Sequence, residues 1–214
     1  VPLGLFLSIL LAALLNAKIR GKSIYRTLYF LPSVTMSAAV AMVWKWMYNE
    51  QMGILNSAIR AVGGKGHNWM TDSHTALFGI MIVGLWMTVG YNMIILLAGM
   101  QGISKSYYEA AQIDGATSLQ TLFKVKIPMV MPSITICLFL TVSNSFKLFD
   151  QNLALTAGAP SKKTAMLALD IYNTFYGRNG YEGVGQAKAV LFFIVVAVIA
   201  LGQLVLTRRK EVEQ

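Results

Sequence analysis

Residues 107–128 read YYEAAQIDGATSLQTLFKVKIP. The stretch carries Glu109, Asp114, Lys124 and Lys126 in a chain of 214 residues that is 56% hydrophobic and only 13% charged. Ser106 with Glu109, and Thr117 with Gln120, each fit the S/T-x-x-E/Q capping box, in which the hydroxyl and the third residue onward satisfy donors left over at a helix start. Between them Asp114-Gly115 supplies a stop, because glycine reaches left-handed backbone angles without a side-chain clash. The spacing predicts two short helices joined by a tight turn, the second presenting Leu119, Leu122 and Phe123 on one face at i, i+3 and i+4. Isolated helices under about 12–15 residues are marginal in water, so this segment needs outside support. Two supports are open: an interfacial loop folded on its own bundle, or a knob seated in another protein.

Working outward, the solvent changes. Ordinary soluble domains are about one-quarter charged, and this chain, with its positive mean hydropathy, departs far enough to point to lipid. The net charge of +9 does not point to nucleic acid, because the basic residues sit in short clusters beside apolar runs, the pattern by which membrane proteins fix their orientation. The lone Cys137 lies within an apolar run and allows neither a disulfide framework nor a thiolate metal site.

A helix needs about 20 predominantly apolar residues to cross roughly 30 Å of hydrocarbon. Five charge-free runs are predicted spans: Val1–Ala17, Thr27–Trp44, Thr75–Ser104, Ile127–Phe146 and Ala189–Thr207. Pro32 and Pro132 are expected near the starts of their helices, where a missing N–H matters least. Ten basic residues follow spans one, three and five: Lys18, Arg20, Lys22, Arg26, Lys105, Lys124, Lys126, Arg208, Arg209 and Lys210. The opposite loops hold Arg60, Lys65, Lys162, Lys163 and Arg178, with Lys188 at a boundary. The richer side is therefore expected in the cytoplasm, together with residues 107–128. That orientation places Val1 outside without a signal n-region, so a further upstream span is expected.

The order EAA, three residues, G, and later I-P resembles the coupling motif of bacterial ABC-importer permeases; here it reads Glu109-Ala110-Ala111, Gly115 and Ile127-Pro128. The longer form found in carbohydrate permeases, similar to those of maltose transporters, is matched by Ile113, Asp114, Ala116, Phe123 and Pro132. Ile19–Lys22 with Tyr25–Pro32, Phe149-Asp150 with Leu155–Pro160, and Gly180–Gly183 resemble further stretches of that family. The resemblance implies an all-α polytopic membrane helix bundle of the type I importer permease fold, one transmembrane permease domain over residues 1–214 with coupling helices at about 104–126. It also implies a second homologous permease subunit forming a heterodimer, two ATPase subunits, an extracellular solute-binding protein, and a multi-pass location in the bacterial cytoplasmic membrane.

No G-x-x-x-x-G-K-[ST] occurs, and Gly63–Gly66 lacks the spacing of a phosphate loop, so energy is expected to arrive by contact. ATP and magnesium belong on the partner ATPase, with no cofactor expected in this chain and no enzymatic constellation of its own. The resemblance assigns the contact to Glu109, Ala110, Ala111, Asp114, Gly115, Phe123 and Pro128. Glu109 would face an Arg or Lys of the ATPase, or only close its capping box.

The predicted spans contain no Asp, Glu or His, which favours a neutral solute over proton coupling. Thr141, Asn144 and Ser145 share a helical face at i, i+3 and i+4, and Trp86, Tyr91 and Asn92 occupy span three. Amides, hydroxyls and aromatic planes suit a sugar pathway. The same residues also suit helix–helix hydrogen bonds of about 0.6 kcal/mol each. Lys147 and Asp150 are expected to pair at i, i+3. Trp44, Trp46 and Tyr48 read as an outer interfacial belt. His67, Asp72 and His74 lack a third well-spaced metal ligand, so no metal is expected. The reading is the permease subunit of an ATP-driven importer of sugars or oligosaccharides. The alternatives are an importer of glycerol phosphate or a polyol, and a secondary carrier or channel without an ATPase.

Overall fold

Helices supply the regular structure throughout residues 1–17, 19–72 and 74–208, which the computed structural model describes. They are α1 (Pro2–Asn16), α2 (Lys22–Val34), α3 (Ser37–Met47), α4 (Ile54–Ala61), α5 (Ala76–Gly102), α6 (Lys105–Ile113) and α7 (Ser118–Thr121). A π-helical turn, Leu122–Lys126, leads into α8 (Ile127–Met129), followed by α9 (Met131–Phe146), α10 (Asp150–Leu155), α11 (Leu167–Tyr176) and α12 (Glu182–Arg208). The expected all-α class holds.

Two helices, α5 and α12, are each 27 residues long and apolar enough to cross a membrane. The expected boundaries of α5 hold, whereas α12 starts at Glu182, well before the expected Ala189. The other expected spans depart from single rods. Helix α1 has 15 residues, about 22 Å at the helical rise of about 1.5 Å per residue. The run 27–44 is not one helix: α2 and α3 meet at a bend of 101°. Pro32 therefore lies inside α2 near its end rather than at a helix start. Its missing N–H leaves the carbonyl four residues earlier without a partner, which weakens the last turn and allows the chain to break two residues later. A second bend, of 70°, separates the segment ending at Met129 from α9, where Pro132 does sit at the helix start.

The chain divides into two compact units. The first comprises Val1–Ser33, Met87–Ser143 and the chain from Ala197. Its core is apolar: Ala12 and Leu15 of α1, Met93, Leu96 and Met100 of α5, and Ile134 and Cys137 of α9 are all buried. Gly90 is required here, since a Cβ would run into the backbone carbonyl of Tyr29 on α2. Close backbone approach through small residues is how apolar helices pack where lipid removes the hydrophobic drive. Ser8 Oγ adds hydrogen bonds to the carbonyls of Gly4 (2.7 Å) and Val89 (3.1 Å).

The second unit comprises Val34–Trp86 and Asn144–Val196. Helix α10 packs on α3, and Val40, Ile80, Leu155 and Leu169 are buried. Its connectors are fastened by buried amides. Asn56 Nδ2 donates to the carbonyls of His67 (2.8 Å) and Asn49 (3.1 Å), while its Oδ1 accepts from His67 N and Trp69 Nε1. Asn152 does the same for the loop after α10, donating to Thr164 O at 2.7 Å and accepting from Met166 N at 3.1 Å.

Candidate functional site

The segment around residues 104–129 folds as two short helices, but its first cap differs from the expected one. Ser104, not Ser106, is the N-cap of α6, and its Oγ accepts from Ser106 N at 3.4 Å. Ser106 is already helical, so no Ser106–Glu109 box forms, and Glu109 stands exposed in mid-helix. At the other end the turn is as expected. Gly115 adopts φ of 70°, the amide of Ala116 donates to Ala111 O (2.9 Å) and that of Gly115 to Gln112 O (3.0 Å). This pairing is the glycine-dependent Schellman closure.

Thr117 and Gln120 complete their capping box: Thr117 N donates to Gln120 Oε1 at 2.8 Å and Gln120 N to Thr117 Oγ1 at 3.3 Å. The expected single second helix is instead broken after one turn into the π-helical stretch. The amide of Ile127 reaches back to Leu122 O, a five-residue register. Pro128 has no N–H for the carbonyl four residues before it, and a widened turn accommodates that missing bond.

This knob packs against the core of its own unit through Tyr108, Ile127 and Met129. Ala111 is buried, Tyr108 Oη donates to Met100 O at 3.2 Å, and Lys126 Nζ lies 5.5 Å from the Tyr108 ring centroid. Burial raises the Tyr108 hydroxyl above its ordinary pKa, opposed by a hydrogen bond with Asn16. Three large apolar side chains of the knob are exposed among its polar ones: Ile113 at 86%, Leu119 at 68% and Phe123 at 63%. Ala110, Asp114 and Gly115 are exposed beside them, Leu122 and Pro128 are half-buried, and no ion pair involves Glu109 among the described residues.

The pathway candidates separate. In the first unit Asn92 Nδ2 donates to Thr141 Oγ1 at 2.9 Å, and both side chains are buried. Cys137 Sγ approaches Asn92 O at 3.7 Å, so this amide is built into the α5–α9 packing. Tyr91 is 40% exposed. In the second unit Trp86 is 46% exposed with its ring 5.6 Å from that of Trp44. Asn144 and Ser145 are exposed at the end of α9, and Ser145 lines a cleft of about 480 Å³ with Lys162, Met166 and Asp170.

Several other expectations are corrected. The outer belt does not form as read: Trp46 is exposed, but Tyr48 is buried, donating its hydroxyl to Gly79 O at 3.0 Å, and its pKa is pushed up to about 12 by that burial. Lys147 and Asp150 make no ion pair; among the described residues Lys188 pairs with Asp170 at 2.6 Å, and His67 Nε2 lies 3.2 Å from Asp72 Oδ2. Lys188 also donates to Thr174 Oγ1 at 2.8 Å, which fastens α12 to α11. Sequence spacing gives no sign of that pair, because its partners stand on different helices. No metal cluster of three or more His, Cys, Asp or Glu occurs among the described residues.

Residues 4–212 match the family model described as binding-protein-dependent transport system inner membrane component. The chain belongs to that family. This permease is 39% identical over 95% of its length to 68% of the probable starch degradation products transport system permease protein AmyD of Thermoanaerobacterium thermosulfurigenes. It is also 33% identical over 96% of its length to 70% of the multiple sugar-binding transport system permease protein MsmF of Streptococcus mutans. The permease fold is similar to that in the crystal structure of a bacterial ABC transporter involved in import of the acidic polysaccharide alginate. That likeness has a TM-score of 0.85 at 22% identity and covers 95% of this chain and 72% of the other. The family and the importer fold expected from the EAA stretch are thus established.

Proposed function

We propose that this permease is a multi-pass subunit of an ATP-driven importer of sugars or oligosaccharides, with Arg20–Arg26 and the 104–129 knob on the cytoplasmic side. The observation that carries this reading is the exposure of three large apolar side chains on the knob. A small helical pair that leaves Ile113, Leu119 and Phe123 in solvent fits a docking element better than an interfacial loop folded on its own bundle. Its occupant is an ATPase subunit, which holds the ATP and magnesium. ATPase closure displaces α6 and α7, and the continuous helices α5 and α9 transmit the displacement as levers. A second permease completes the pathway and a binding protein delivers the sugar, a reading supported by the family's description as binding-protein-dependent transport and by the sugar-transport names of the relatives.

Among the pathway candidates Trp86, Tyr91, Asn144 and Ser145 are exposed, Ser145 lining the cleft, whereas Asn92 and Thr141 serve the helix contact. Gly115→Asp tests the docking role, because φ of 70° strains any side chain while the open space around the residue leaves the rest of the fold untouched. Uptake of labelled oligosaccharide into vesicles is expected to be lost at normal permease abundance. Undiminished uptake would remove the knob from the coupling path, and uptake of glycerol 3-phosphate instead would reassign the cargo.

A further inference from the structure

The cleft at the end of α9 has two charged side chains in its wall that the packing of the second unit does not use up. It measures about 480 Å³, and its lining includes Ser145 and Phe146 of α9, Lys162 and Met166 of the loop after α10, and Leu167 and Asp170 of α11, all within that unit. Asp170 gives one oxygen to the fold: Oδ2 accepts from Lys188 Nζ at 2.6 Å, and the same Nζ donates to Thr174 Oγ1 at 2.8 Å. Its Oδ1 accepts no hydrogen bond among the described residues, and the side chain is 49% exposed. Lys162 is exposed and makes no ion pair among the described residues.

The loop that carries Lys162 is fixed before anything binds. Ser161 and Lys162 hold φ of 49° and 62°, left-handed angles that residues other than glycine seldom take. Two such residues in a row persist only where the surroundings over-determine them. Here Asn152 holds Thr164 O (2.7 Å) and Met166 N (3.1 Å), Thr164 Oγ1 donates to Ala159 O at 2.7 Å, and Lys163 N donates to Pro160 O at 2.9 Å. A wall ordered in advance lowers the ordering cost of binding.

The chemistry of the wall selects the ligand. A vicinal diol donates to a carboxylate through its O–H groups and accepts from an ammonium through its lone pairs, while the Phe146 ring offers an apolar surface to the C–H groups between them. An anion would gain at Lys162 but meet the Asp170 carboxylate in the same cleft, and an apolar ligand would strand both charges. A mostly apolar cleft with a few convergent polar groups is the usual form of a small-ligand site. We propose that this cleft holds one neutral glycosyl unit of the cargo, with Asp170 Oδ1 accepting from its hydroxyls and Lys162 Nζ donating to them. The assignment rests on the sugar-importer reading given above.

The test is saturation-transfer NMR on the detergent-purified complex, titrated with maltotriose or with an alginate trisaccharide, the binding protein being left out so that it cannot hold the sugar itself. Wild type is expected to give a saturable signal from maltotriose and a weaker one from the acidic sugar. Asp170→Asn and Lys162→Gln are each expected to weaken maltotriose binding about fivefold, and Lys163→Gln, outside the cleft lining, to leave it unchanged. Lys188→Gln relaxes the same tie between α11 and α12 but keeps the carboxylate; it is expected to lower the unfolding temperature as Asp170→Asn does while weakening binding by no more than about twofold. Equal weakening by Lys188→Gln and Asp170→Asn, unchanged binding in either Asp170→Asn or Lys162→Gln, or no saturable signal with either sugar overturns the subsite. Tighter binding of the alginate trisaccharide, lost in Lys162→Gln, overturns it in favour of an acidic cargo. Binding of maltotriose by wild type without ATP-driven uptake into vesicles would refute the importer reading and leave the subsite standing.

Discussion

The knob at residues 104–129 and the loop after α10 are both polar connectors between apolar helices, yet they meet their needs differently. The loop is closed on itself: Asn152 reaches both Thr164 and Met166, Thr156 and Thr164 share a hydrogen bond of 2.8 Å, and Thr164 Oγ1 donates to Ala159 O at 2.7 Å. The knob satisfies its backbone through the Gly115 turn and the Thr117–Gln120 box but leaves Ile113, Leu119 and Phe123 exposed. A connector that satisfies both its polar groups and its apolar surface is part of the scaffold. One that satisfies only the first is the one proposed above as a docking element.

This contrast breaks most sharply at Asn152. Asn152→Ala strands a buried carbonyl and amide and is expected to cost about 3 kcal/mol, read as a lower unfolding temperature of the detergent-purified chain whether or not an ATPase is added. Phe123→Ser is the reciprocal experiment. It should weaken ATPase association about tenfold in a pull-down titration while moving the permease's own stability by no more than about 0.5 kcal/mol. If Phe123→Ser destabilised the isolated chain as Asn152→Ala does, the two connectors would not differ in kind.

Smaller changes sharpen the same division. Thr117→Ala removes half of a reciprocal cap and is expected to cost about 1 kcal/mol, seen as faster hydrogen exchange confined to residues 118–121. Asn92→Ala, which deletes the bond to Thr141, is expected to cost about 0.6 kcal/mol in unfolding. A loss of uptake affinity without that small loss of stability would instead return Asn92 to the pathway.

How far the sequence could be read follows from how local each feature is. The Schellman turn at Gly115 and the Thr117–Gln120 box are set by residues within five positions of each other, and both form as spelled. The first cap was misplaced because Ser104 and Ser106 offer the same hydroxyl two residues apart, and only the backbone angles decide which stands outside the helix. The bend between α2 and α3 escaped hydropathy because the charge-free run 27–44 continues through it, and hydropathy carries no direction. Asn152, Asn56 and the Lys188–Asp170 pair escaped for another reason: each joins residues 11 to 18 positions apart across a fold not yet known.

The order of residues alone determined that this chain belongs in lipid and that the EAA stretch makes a turn between short helices. Each of these follows from composition or from neighbours within a turn or two, where chain connectivity already fixes proximity. Tertiary structure alone decided which polar side chains are spent inside each unit and which apolar ones stay exposed. Those outcomes depend on burial, and burial is a property of what the rest of the chain brings alongside.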